Sequence, residues 1–329
     1  MLQQTQVKTV IPFWNRWMNE LPTIEAAAQA PSAKIHKFWE GLGYYTRVRN
    51  LQKAAQVIVA DHGGTFPDTF DEVLALPGIG RYTAGAICSI AFNQPTPLLD
   101  GNVIRVFTRI FGIAENPKDK ATNARLWELA EQLVQSAQKT GSTNACSHLN
   151  QSLMELGALI CTPRNPQCLL CPAQKLCVAF REGRIEELPN LAKRAAPTAR
   201  HFVAFALERE GRFLVRQRPV GVVNAHLWEF PNVEVGGTSP VANGSAPLAQ
   251  AAKHFHLEPQ EAQPLCVVKH SITRYRMTLE TFLVRSKKFA KMEGIWQTPV
   301  QMQSLAFTSA HRKVLTALLS KTESQPGKI

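Results

Sequence analysis

No apolar run in this chain approaches the roughly 18 residues that a membrane-crossing helix needs, so no transmembrane helix is predicted. The opening MLQQTQVKTV lacks a basic stretch followed by an apolar one, so it is not a signal peptide, and a reducing cytoplasm is expected. Acidic residues are scarce: 25 Asp and Glu stand against 37 Lys and Arg, a net charge of +12. Such an excess points to a polyanionic partner, nucleic acid or an anionic membrane face. Long low-complexity tracts and internal repeats are also missing. Apolar residues make up 45% of the 329, enough for two cores and too many for a disordered chain.

The pattern changes once along the chain. Residues 1–180 read as helical, with Val10, Phe13, Trp14, Trp17 and Met18 at helical spacing, and Leu126, Leu129, Ala130, Leu133 and Val134 likewise. Glycine and proline punctuate them at Pro22, Gly41–Gly43, Gly63–Gly64 and Pro77–Gly80. Residues 184–200 lack a sustained period and read as a linker. Beyond it, HFVAFALEREGRFLVRQRP alternates around Glu210–Gly211, predicting two strands and a tight turn. Tyr275, Met277, Leu279, Thr281 and Leu283 alternate again, and a helix near Ala310–Leu319 closes the part. The expected division is a mainly α domain over 1–183, the linker 184–200, a smaller α+β domain over 201–320 and a tail over 321–329.

Four of the seven cysteines, Cys161, Cys168, Cys171 and Cys177, crowd into C-x6-C-x2-C-x5-C. In a reducing compartment this suits one S4 metal site, either zinc or an iron–sulfur cluster. Cys88, Cys146 and Cys266 read as small buried residues. Leu76-Pro77-Gly78-Ile79-Gly80 has the L-P-G-x-G form of a helix–hairpin–helix, or of an ordinary helix-connecting turn. In the first case Gly78 and Gly80 both allow positive φ and bare the amides that open the next helix, an anion site. Asp100, in Leu99-Asp100-Gly101-Asn102, could by itself be a helix cap.

Taken with MLQQT, Gly41-Leu42-Gly43-Tyr44-Tyr45, LGALIC and the cysteine loop, these motifs resemble the MutY-type adenine DNA glycosylases of the endonuclease III superfamily. The resemblance implies a helix–hairpin–helix glycosylase domain with one 4Fe-4S cluster on Cys161, Cys168, Cys171 and Cys177. It implies hydrolysis of the glycosidic bond of adenine mispaired with 8-oxoguanine or guanine in duplex DNA, by a monomeric bacterial cytoplasmic, nucleoid-associated enzyme. Asp100 matches the carboxylate facing the scissile bond, where it stabilises charge that develops only in the transition state. Asn102 matches a residue that orients it. Tyr82 stands where strand-cutting relatives place a Schiff-base lysine, so a monofunctional glycosylase is expected. Gln3, Gln4 and Thr5 match the segment that enters the stack beside the damaged guanine, and Tyr44 matches the wedge. Gln151 matches the residue that hydrogen-bonds the extruded adenine.

The second domain resembles the MutT-like Nudix fold of the same family through Gln217-Arg218-Pro219 and Leu227-Trp228-Glu229-Phe230-Pro231. The metal-binding R-E-x-x-E-E helix has no counterpart at Leu248–Phe255, so hydrolysis is not expected and recognition of 8-oxoguanine is. The family's Phe-Ser-His loop is matched by Ile272-Thr273-Arg274, with Thr273 keeping a hydroxyl. The family motif S-E-x-M-L-Q-Q-T places its general acid two residues ahead of Met1. A start set at an internal methionine is therefore expected, and the 329 residues alone are expected to be nearly inactive. Glu20 and Glu40 read as ordinary surface helix positions. The rival readings are another helix–hairpin–helix mismatch glycosylase, an inactive DNA-binding relative, and a zinc-containing nucleic-acid module.

Overall fold

The computed structural model describes residues 1–192, 196–236, 245–272 and 274–323. Thr273, an expected base-contacting residue, and 324–329 of the expected tail lie outside the described residues. The helices come first: α1 (Val7–Glu20), α2 (Ile24–Gln29), α3 (Ser32–Trp39), α4 (Thr46–Asp61), α5 (Phe70–Ala75), α6 (Arg81–Phe92), α7 (Gly101–Ile110), α8 (Lys120–Lys139), α9 (Ala145–Glu155) and α10 (Val178–Arg181). A single π-helical turn, Leu156–Ile160, extends α9. Then follow β1 (Thr198–Arg209), β2 (Arg212–Gln217), β3 (Trp228–Glu229), β4 (Asn232–Val235), α11 (Ser245–His254), β5 (Gln263–Ile272), β6 (Tyr275–Arg285), β7 (Ile295–Gln297), α12 (Pro299–Ser304) and α13 (Ser309–Glu323). No helix among the described residues is long and apolar enough to cross a membrane.

Contacts group the chain into two compact units, one of residues 1–55 with 195–329 and one of residues 56–194. In the first, the sheet order is β3-β2-β1-β6-β5, with β4 paired to β1 and β7 to β2. β1 and β2 form the expected hairpin, and Glu210 (φ 53°) and Gly211 (φ 72°) make its two-residue turn. β1 also runs parallel to β6 from Thr198 opposite Tyr275 to Glu208 opposite Arg285. Its centre is covered on both faces. Val203, Phe205 and Leu207 join Ala251 of α11 and Phe255 just beyond it, while Ala204 and Ala206 join Val314 and Leu318 of α13. A strand buried on both sides needs no polar face, which is why His201–Leu207 is apolar almost without interruption.

The N-terminal helices of this unit are tied to the segment ahead of α13. Glu40 Oε1 accepts the Phe307 N–H at 2.8 Å, and Lys37 Nζ donates to Leu305 O at 2.9 Å and to Glu40 Oε2 at 2.7 Å. Glu40 is therefore not the ordinary surface position that the sequence suggests. Its side chain is 11% exposed and holds a remote main-chain amide. Trp17 is buried and meets Trp39 edge-on at 6.1 Å, whereas Trp14, on the same expected stripe, is 52% exposed.

The second unit packs α6, α7, α8 and α9 about Leu98, Val103, Val106, Phe107 and Leu126, with Tyr82 and Cys161 against the same cluster. Arg109 is bonded to the carbonyls of Ile185 and Leu188, so the start of the expected linker is held against α7. β1 opens at Thr198, within the last residues of that expected linker.

Candidate active site

The second unit carries the hairpin. The Ile79 N–H donates to Leu76 O at 3.1 Å, closing a turn with Pro77 in its second position and Gly78 (φ 80°) in its third. Gly78 is where glycine is required. Gly80 differs from expectation: it is the N-cap of α6 at φ −105°, an ordinary extended conformation, and a Cβ there would meet nothing within 4 Å. What Gly80 contributes is the lack of a capping side chain, so nothing of its own covers the positive end of α6. Beside it the Arg81 guanidinium lies 4.0 Å from the centre of the Trp127 ring.

Asp100 caps α7, the simpler of its two readings, and is held for more than capping. Oδ1 accepts the N–H groups of Asn102 at 2.9 Å and Val103 at 2.8 Å, while Oδ2 takes the Asn102 side-chain amide at 3.2 Å. Arg105, one turn further along, donates to Asn102 Oδ1 at 2.9 Å, to Gly157 O at 2.5 Å and to Cys161 O at 2.6 Å. Gly157 sits in the π turn, where a Cβ would come within 2.7 Å of Asn102 Cβ, so only glycine lets the turn rest on the start of α7. Arg109, again one turn on and 2% exposed, donates to Cys161 Sγ at 3.4 Å and to Thr162 O at 2.8 Å. Sequence reasoning missed both arginines. The available signal was their spacing of four, which puts both on one face of α7.

Tyr82 is half-buried, with its hydroxyl donating to Met154 Sδ at 3.4 Å. Burial, and then the Asp100 carboxylate, push its phenol up from the ordinary tyrosine value, so it stays a neutral donor beside that charge. Gln151 bonds back to its own helix through Nε2, at 3.0 Å to Ser147 Oγ and 3.3 Å to Ser147 O.

Cys161, Cys168, Cys171 and Cys177 are free thiols lining one cavity, together with Val106, Arg109 and Phe180. Burial and the neighbouring thiols raise Cys168 above the ordinary cysteine value, as expected where several sulfurs share one apolar space. Among the described residues no three candidate ligands stand in the arrangement for a single ion. Cys88 and Cys146 are buried as expected, while Cys266 is half-exposed.

The remaining expected DNA contacts belong to the first unit. Gln3, Gln4 and Tyr44 are exposed, with Tyr44 at 56%. Gln4 (φ 57°) and Tyr44 (φ 49°) both adopt the left-handed conformation, which is costly for such residues by about 1 kcal/mol or more and recurs at functional sites. Arg47, another residue the sequence did not single out, donates to Gln3 O, to Thr5 Oγ1 at 3.2 Å and to Gly43 O at 3.2 Å.

Residues 1–132 match the HhH-GPD superfamily of base excision DNA repair proteins, and residues 203–317 match the NUDIX domain. The chain is 33% identical to an adenine DNA glycosylase of Rattus norvegicus, in a match covering 95% of the chain and 69% of that protein. It is 37% identical to one of Homo sapiens, over 99% of the chain and 67% of that protein. Against one of Mus musculus it is 38% identical over 71% of the chain, and there it spans only 52% of the relative's length.

Proposed function

Because the chain belongs to the adenine DNA glycosylase family of base excision repair enzymes, we propose that it hydrolyses the glycosidic bond of adenine mispaired with 8-oxoguanine or guanine, with Asp100 as the carboxylate facing the sugar. The observation that carries this reading is the double hold on Asp100, whose two oxygens are fixed by the α7 amides and by Asn102. As adenine departs, positive charge builds on the sugar, and a carboxylate that need not reorganise stabilises it only then. Asn102, locked in turn by Arg105, keeps that orientation. Tyr82 has no amine and forms no Schiff base, which limits the chemistry to base removal. With the Gln151 amide nitrogen held by Ser147, its carbonyl oxygen is left to accept from the amino group of an extruded adenine.

Gly78 and the uncapped start of α6 bind backbone phosphate, while Gln3, Gln4, Thr5 and Tyr44 fill the gap left by the extruded base. The sheet-containing part reads 8-oxoguanine, with Thr273 as its expected contact. Cys161, Cys168, Cys171 and Cys177 hold one 4Fe-4S cluster. Four free thiols facing one cavity, with an arginine donor at Cys161, suit an anionic thiolate-ligated group. When bound, such a cluster cross-links the loop and supplies a redox centre.

The test is single-turnover release of adenine from duplexes with adenine opposite 8-oxoguanine, guanine or thymine. It is run on the chain and on any in-frame upstream extension that its gene encodes. Release opposite 8-oxoguanine and guanine but not thymine is expected. Release by neither protein, or equally from all three duplexes, would sink the proposal.

A further inference from the structure

The two exposed segments proposed to enter the DNA stack are distant in the chain, with Gln4 in one and Tyr44 in the other. Each displays that side chain from a left-handed backbone. Neither segment is a helix or a strand, so neither has a ladder of its own to hold that conformation. A single guanidinium joins them. Arg47 Nη1 donates to Met1 O at 2.9 Å, to Gln3 O and to Thr5 Oγ1 at 3.2 Å, while Nη2 donates to Leu42 O and Gly43 O, both at 3.2 Å. The same guanidinium lies 5.3 Å from the centre of the Trp39 ring and 5.7 Å from that of Tyr44. Its remaining nitrogen, Nε, is buried without a partner.

We propose that Arg47 is a positioning residue that clamps the Gln3–Thr5 turn and the Gly41–Tyr45 loop into one rigid probe. The inference rests on the reading that these segments enter the stack, and it adds what makes them act together. An exposed arginine next to DNA is ordinarily a phosphate contact, but here both terminal nitrogens are committed to protein oxygens. Opening a base stack demands a wedge that does not yield. Two separate flexible segments would each lose conformational freedom on insertion, whereas a pre-joined pair has already lost it. Lysine cannot replace the arginine, because one ammonium lacks the planar fork that reaches both segments.

The experiment places 2-aminopurine beside the target adenine in a duplex containing 8-oxoguanine, so that fluorescence rises when the stack opens. The parent, Tyr44→Ala, Arg47→Ala and Arg47→Lys are compared, together with their affinities for undamaged duplex and their thermal midpoints. Both Arg47 variants should lose opening by about tenfold or more, the scale of one charge-assisted hydrogen bond, in step with Tyr44→Ala. Arg47→Lys keeps the charge and most of the bulk, so it should hold its fold, and its affinity for undamaged duplex should stay within about twofold of the parent. If Arg47→Lys opens the stack like the parent while Tyr44→Ala does not, the clamp is wrong and the wedge stands. If undamaged-duplex affinity falls with Arg47→Lys as far as opening does, Arg47 is a phosphate contact. If Tyr44→Ala opens the stack like the parent, the stack-entry reading fails and the clamp with it.

Discussion

The Asn102 side-chain amide donates to Asp100 Oδ2 at 3.2 Å, while the two α7 amides donate to Oδ1. One side chain thus caps a helix and presents a fixed negative charge, and a substitution can separate these roles. Asp100→Asn keeps an acceptor for the cap and removes the charge. Its thermal midpoint should stay near the parent's, while its affinity for a duplex carrying a cationic pyrrolidine in place of the target sugar should fall by roughly 10²–10³-fold. Asp100→Ala should lose both stability and affinity. Calorimetry and a binding titration read the two effects. An Asn variant that binds the cationic analogue as tightly as the parent would move the electrostatic role elsewhere.

The two hairpin glycines should respond differently. Gly78→Ala forces a side chain into φ 80° and should cost about 1 kcal/mol of stability together with DNA affinity. Gly80→Ala meets open space at φ −105° and should leave the melting temperature nearly unchanged. If the hairpin binds phosphate, log affinity should also fall linearly with log salt. Equal melting losses in the two variants, or an affinity flat with salt, would contradict the turn geometry or the phosphate role respectively.

Much of this was legible in the sequence because periodicity and turn chemistry are local signals. The β1–β2 hairpin follows from Glu210–Gly211 between apolar runs, and α13 from the spacing around Ala310–Leu319. The Gly78 turn follows from Pro-Gly. Contacts between distant segments left no such trace. Glu40 reads as a surface glutamate until Phe307, 267 positions away, supplies the amide it accepts. Arg47 looks like one more positive charge in a basic chain until the carbonyls of Gln3, Leu42 and Gly43 converge on it. Arg105 and Arg109 were hidden for the same reason, since their acceptors lie in the π turn, the cysteine loop and the segment that follows it. Composition counts an arginine's charge, and only the fold shows where its five N–H donors go.

The cysteine loop yields a chemical prediction. Protein prepared without oxygen should contain iron and sulfide and absorb in the visible, and Cys168→Ser should lose colour and DNA affinity together. Arg109→Lys should keep all four thiols but give up the planar contact to Cys161 Sγ and to the carbonyls of Thr162, Ile185 and Leu188. Its colour should bleach faster under an iron chelator than the parent's. One zinc per chain, with neither iron nor sulfide, would overturn the cluster assignment.

Acid should destabilise the sheet-containing unit through His311. This ring is buried, and its Nδ1 accepts the Phe230 N–H at 3.2 Å, so that nitrogen carries no proton in the fold. Burial pushes the imidazole down from 6.5 to about 4, against the pull of Glu229. Glu229 is itself kept ionised despite burial by Arg218 and Arg216, which bond it directly, so its charge does not require a protonated histidine. The sign follows from proton counts. Below pH 6.5 the unfolded histidine takes up a proton while the folded one stays neutral until about pH 4. Falling pH therefore favours unfolding across that window, by roughly 3 kcal/mol at its lower end and by nothing above it. In His311→Gln the side-chain oxygen can still accept from Phe230, but nothing titrates. Between pH 7.5 and pH 5 the parent should lose about 2 kcal/mol more stability than this variant, read from denaturant unfolding at the two pH values. Equal losses in parent and variant would mean that His311 is already protonated in the fold, leaving its Nδ1 unable to accept the Phe230 N–H.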